Sequence, residues 1–122
     1  MQDPQRLPER VNDDGWLVHR GRFVDTTFLL EVGDQGYLIR ILDGRVESVR
    51  PGPFVMARWS FAIRVQEEAW AEYCRPYPKP GYHDILAMVK FKTLKLEGDQ
   101  HPLMANLLYF KDVLVKLREK TS

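Results

Sequence analysis

At 122 residues the chain is long enough to bury one hydrophobic core and too short for two. A hydrophobic share of 44% against 29% charged residues, with three Trp, five Tyr and six Phe, belongs to a folding chain rather than a disordered one. Eighteen Lys and Arg balance seventeen Asp and Glu to a formal charge of +1, and neither sign gathers into a block, so no basic stripe is offered to a nucleic acid.

The opening segment, "MQDPQRLPER" and on to Asp14, is polar, carries two prolines and shows no apolar period, which predicts a loose arm. It lacks the apolar centre of a secretory signal, and no apolar run in the chain approaches the roughly 20 residues of a membrane span. The expectation is a cytoplasmic protein without stable membrane insertion. Residues 1–25 are read as an N-terminal arm and lead-in, with "WLVHRGRFVD" left open between strand and turn, and residues 26–122 as a single domain.

"TTFLLEV" alternates Phe28, Leu30 and Val32 against Leu29 and Glu31, the period of a strand. "GDQG" reads as a tight turn, and "YLIRIL" sets Tyr37, Ile39 and Ile41 opposite Leu38, Arg40 and Leu42. Asp43-Gly44 suits the positive φ of a two-residue hairpin loop, and "RVESV" follows as a third, more polar strand. Pro51 and Pro53 lack the ladder donor and end the meander there. The chain resumes in "RWSFAIRV" with alternating Trp59, Phe61, Ile63 and Val65.

"QEEAWAEYC" turns to helix formers, with Glu67 and Glu68 at the positive end of the macrodipole. "RPYPKPGY" must be an extended loop because of its alternate prolines; "HDILAMVKF" returns to helical spacing, and "TLKLEG" is a last strand. The final segment has the firmest helical signal: Asp99 as cap, Pro102 in the first turn, then Leu103, Leu107, Phe110, Leu114 and Leu117 on one stripe widened by Met104 and Leu108. Strands first, then two helices, one strand and one helix, with no repeated βα unit, predict an α+β fold: a largely antiparallel sheet covered on one face by helices.

Chemistry-bearing residues are sparse. Cys74 is the single cysteine, which excludes an internal disulfide, and His19, His83 and His101 fall in no metal-ligand spacing. Cys74 as nucleophile with His83 as base and Asp84 as its orienting carboxylate is one arrangement to test; Asp84 as helix cap and Cys74 as a small buried hydrophobe is the plainer one. No glycine pattern cradles a phosphate at a helix start, so no cofactor, metal or catalytic set is expected. What remains is a surplus of large apolar side chains on three helices that face one sheet. These either pack to native density or line a cavity, and methionines adapt to both.

"FLLEVGDQGYLIRILDGRVESV", a strand leading to "EEAWAEY", a further helix and "LKLEGD" before an apolar helix together resemble the sterol carrier protein type two family, over Phe28 to Leu117. The resemblance implies a five-stranded sheet with helices over it and an apolar tunnel between them for fatty acyl chains, acyl-CoA, sterols or isoprenoid-like lipids. It implies a non-catalytic binding or carrier protein. The candidate lining is Phe61, Trp70, Tyr73, Ile85, Met88, Val89, Met104, Leu107, Leu108 and Phe110, with Arg64, Lys90 or Lys92 to hold an acidic head group. Where family members have a short Gly-containing link, this chain inserts "RPYPKPGYHD", a candidate rim or lid, and its end "REKTS" is no peroxisomal signal, which fits a bacterial cytoplasmic stand-alone member. The competing expectation is an interaction module in which the apolar C-terminal helix packs on a second copy, forming a homodimer, or on a partner enzyme.

Overall fold

The computed structural model describes residues 4–54 and 57–118. Its centre is a five-stranded sheet built of β1 (Asp25–Val32), β2 (Gln35–Leu42), β3 (Arg45–Pro51), β4 (Phe61–Val65) and β5 (Leu94–Gly98), in the order β3-β2-β1-β4-β5. β1 to β3 form the expected antiparallel meander and β5 runs antiparallel to β4, while β4 lies parallel to β1. The sheet is therefore mixed, though mostly antiparallel. The parallel pair requires a crossover, and the link from β3 to β4 supplies it by carrying the chain from the β3 edge across one face of the sheet to the far side of β1. That link includes "RWS", expected as strand; β4 proper begins at Phe61.

Alternation decides which face is buried. Phe28, Leu30, Ile39, Ile41, Val46, Phe61, Ile63 and Leu94 point to one side and are at most 4% exposed. A register shift between Arg40 and Ile41 lets Val46 and Val49 both join that side. The hairpin loop between β2 and β3 has φ of 55° at Asp43 and 80° at Gly44, the mirror-image turn that the Asp-Gly pair favours.

Helices cover the apolar face from both ends of the chain. α3 (Glu67–Tyr73) buries Ala69, Trp70 and Tyr73, and α4 (Ile85–Lys90) buries Ile85 and Met88. The leading segment departs from the loose arm expected of it. After a 3-10 turn at Pro4–Arg6 come α1 (Leu7–Asn12) and α2 (Gly15–Arg20), which place Leu7, Val11 and Leu17 in the core. Short helices that bury only one or two residues each give too little periodicity to be seen; their stability comes from packing. Asp14 caps α2 by accepting the Leu17 N–H at 3.2 Å. The Asn12 amide donates to the Val46 carbonyl and accepts from its N–H, at 3.1 and 2.9 Å, and so occupies ladder groups of edge strand β3.

The last helix is also not the continuous one expected. α5 (His101–Ala105) and α6 (Leu107–Val115) are separated at Asn106, whose φ of −128° is non-helical and whose side-chain amide donates to the Pro102 carbonyl at 3.1 Å. Such local side-chain bonding to backbone is the reason Asn is a poor interior helix residue.

Candidate functional site

The ten candidate lining residues divide into two groups. Phe61, Trp70, Tyr73, Ile85, Met88 and Phe110 are at most 1% exposed and pack as core. The rings of Phe28 and Phe61 stack at 5.1 Å, Phe110 meets both edge-on at 5.7 and 5.5 Å, and Trp70 stacks on Tyr73 at 4.7 Å. These contacts fill the space between sheet and helices at the positions where a tunnel was expected. Burial raises the pKa of Tyr73 and of Tyr109, which keeps both phenols neutral; the Tyr109 hydroxyl donates to the Gly44 carbonyl at 2.7 Å.

The other group stands toward solvent. Val89 and Leu107 are half-buried against the core, whereas Met104 is 45% and Leu108 68% exposed. Val89 and Met104 border an open groove of about 450 Å³ between α4, edge strand β5 and α5. Leu86, Leu94 and Leu96 complete its apolar wall, and Lys92, Lys95 and Gln100 stand at its margin. Leu86, Leu94, Leu96 and Gln100 were not among the expected lining residues. The alternation of Leu94 and Leu96 was visible, but only the sheet order shows that β5 is an edge whose flank is open. Of the ten, Trp70 also touches a second cleft of about 470 Å³, between the β1–β2 turn and α3.

Of the three candidate cations for a head group, only Lys92 lies at the apolar groove; Lys90 is exposed at the end of α4. Arg64 is committed elsewhere. It stands on the sheet face away from the helices, where it bridges Glu31 at 2.6 Å and Glu97 at 2.8 Å, and these two carboxylates hold its pKa above the usual value. Arg64 and then Lys95 in turn hold the Glu97 carboxyl below the usual range. The proline-rich segment, expected as rim or lid, contributes no residue to the groove wall. It is tethered instead to α3, whose Glu72 carboxylate accepts the Lys79 N–H at 3.1 Å.

The Cys74, His83 and Asp84 constellation is not assembled. Cys74 is fully buried and the His83 side chain is exposed. Asp84 caps α4 through the Leu86 N–H at 3.1 Å and bridges Lys111 at 3.0 Å. Among the described residues no three His, Cys, Asp or Glu side chains converge as a metal site, and no helix is long and apolar enough to cross a membrane.

α5 and α6 are held very differently. Lys111 ties α6 to Asp84 of the α4 cap, Asp112 ties it to Arg20, and beyond its end Lys116 reaches Asp14 at 2.8 Å. Arg118 then donates to the Tyr73 carbonyl at 2.9 Å with its guanidinium over the Tyr73 ring. α5 has five residues, of which Leu103 alone is buried. The apolar groove thus lies beside the shortest α-helix of the described residues.

No family model matches the chain, and no curated protein matches it in sequence. Solved structures do match in fold. Sterol carrier protein 2 superposes with a TM-score of 0.76 at 15% identity, covering 96% of this chain and 94% of that one. A conserved protein of Thermus thermophilus, described as a candidate sterol carrier protein, gives 0.69 at 13% identity over 97% and 87%. The ubiquinone synthesis protein UbiJ-SCP2 gives 0.59 at 10% identity over 91% and 84%. These superpositions extend over nearly the whole chain, and the protein therefore has the fold of sterol carrier protein 2.

Proposed function

We propose that the protein binds an apolar small molecule of the fatty acyl, sterol or isoprenoid-like class and carries it without chemical change. The observation that supports this most directly is the apolar groove between α4, β5 and α5, on a fold shared with sterol carrier protein 2. Val89, Leu94, Leu96 and Met104 offer hydrocarbon to hydrocarbon, and each methylene taken from water contributes about 0.8 kcal/mol. A five-residue helix has little stability of its own. Displacing α5 about Asn106 would open the way from the groove toward Leu103 and the aromatic core, so that a packed interior and an occupied one are two states of the same site. Lys92 at the margin suits a carboxylate or phosphate head.

Titration with a fluorescent fatty acid tests this. Met104→Lys places a charge in the groove at a side chain already 45% exposed, so the fold is retained and affinity falls more than tenfold. Lys92→Glu weakens the fatty acid several-fold and leaves a neutral sterol probe unaffected. Native circular dichroism with unchanged uptake in Met104→Lys would overturn the placement, and absence of uptake by the wild type would overturn the function.

A further inference from the structure

The sheet face turned away from the helices carries a second built feature. Pro53, Phe54, Ala57 and Arg58 of the β3–β4 link stand over that face beside Leu38, and Leu29, Leu38 and Ala62 on it are at most 6% exposed. Between the link and the strands is a cleft of about 540 Å³. Its floor follows from the strand register. Thr27, Arg40 and Ser48 pair across β1, β2 and β3 in one row, and Leu38 with Arg50 forms the adjoining row. Arg40 and Arg50 are therefore diagonal neighbours, a relation that sets side chains roughly 7–8 Å apart at their bases. Arg58 faces them from the link, whose Pro53, Phe54 and Ala57 add an apolar wall.

The electrostatics are one-sided. The lining holds three guanidinium groups and two hydroxyls, and no carboxylate. Arg40 is already met by Asp25, with Glu47 at 3.9 Å and the Ile41 carbonyl accepting at 2.9 Å, so it is positioned and largely neutralised. The guanidinium groups of Arg50 and Arg58 form no ion pair or hydrogen bond with any described residue, in contrast to Arg64 on the same face, which is saturated by two carboxylates. Two uncompensated guanidinium forks and two hydroxyls around one space match a dianion with several acceptor oxygens better than a monocarboxylate. Leu38 and Phe54 then suit a flat or hydrocarbon body attached to it.

We propose that this cleft binds a phosphate monoester with an apolar or aromatic body, its phosphate clamped between Arg50 of the sheet and Arg58 of the link. The site is separate from the apolar groove and does not depend on it. The ester is either a soluble metabolite or the head group of an anionic lipid, since both present the same dianion.

Calorimetric titration of the full chain with phenyl phosphate and inorganic phosphate, and sedimentation with phosphatidylcholine vesicles with and without phosphatidic acid, tests the proposal. Saturable binding of phenyl phosphate, tighter than inorganic phosphate, supports a soluble ester; binding only to vesicles containing phosphatidic acid supports a lipid head group. Arg50→Gln and Arg58→Gln each weaken whichever ligand binds by about tenfold, the loss of a charge-assisted contact. Arg50→Lys, which keeps the charge and loses the fork, falls between wild type and Arg50→Gln. Arg45→Gln, at an exposed arginine outside the cleft, changes nothing. The proposal is overturned if neither phosphate probe binds, or if Arg45→Gln weakens binding as much as Arg50→Gln does, which would signify diffuse attraction by surface charge.

Discussion

The two faces of the sheet are made by alternate residues of the same strands, yet they solve different problems. Toward the helices, Phe28, Ile39, Phe61 and Ile63 are fully buried and interlock with Phe110 and the rest of the helical layer. Away from them, Glu31, Arg40 and Arg64 are joined to their neighbours by ion pairs, Thr27 and Ser48 are polar, and a loop lies beside the few apolar side chains. Stability resides mainly on the first face, because removing hydrocarbon from water is worth more than pairing half-exposed charges. The second face is consequently free to hold chemically specific groups, and two arginines whose guanidinium groups lack partners among the described residues remain there.

That contrast can be broken or sharpened by substitution. The largest effect should come from Phe61→Ala, which removes a ring stacked on Phe28 and edge-on to Phe110 and should cost about 3–5 kcal/mol in denaturant unfolding. Tyr109→Phe comes next. It leaves the buried Gly44 carbonyl without its donor, and a loss of about 1–2 kcal/mol in the same measurement is expected. On the opposite face, Arg64→Gln should change stability by no more than about 1 kcal/mol, and less in high salt, because its pairs with Glu31 and Glu97 are about one-third exposed. A loss at Arg64 equal to that at Phe61 would refute the asymmetry.

The smallest effect is a pH dependence. The Lys116 ammonium, and then the Leu17 N–H, hold the Asp14 carboxyl below its ordinary value. The unfolded chain therefore binds a proton there before the folded one does. The contribution is present above the ordinary carboxylate pKa and is lost as pH falls through the lowered folded value. Asp14→Asn should flatten the acid limb of a stability profile and leave the alkaline limb unchanged. An unaltered acid limb would mean that the pair makes no difference to folding.

Period-two alternation exposed the faces of β1 and β2, and the Asp-Gly turn marked the hairpin from β2 to β3, because these signals are local. The parallel placement of β4 beside β1 was not legible: alternation says which residues share a face and nothing about neighbouring strands. α1 and α2 escaped notice because two buried residues in Leu7–Asn12 and one in Gly15–Arg20 make no stripe. The break at Asn106 was hidden because Leu103, Leu107 and Phe110 keep a helical interval across it. For the groove, Val89 and Met104 were named from helical spacing, whereas Leu86, Leu94 and Leu96 depend on β5 lying at the sheet edge. Arg50 and Arg58 drew no attention, since only the crossover brings residues from strand and loop to one cleft.

Native mass spectrometry of the purified protein, followed by extraction and identification of any apolar molecule that accompanies it, tests the carrier reading most directly. The account predicts a stoichiometric lipid, or its appearance on adding fatty acid or sterol, and its release from Met104→Lys. A bare protein that stays bare with both additions would contradict it and leave the groove beside α5 without a ligand.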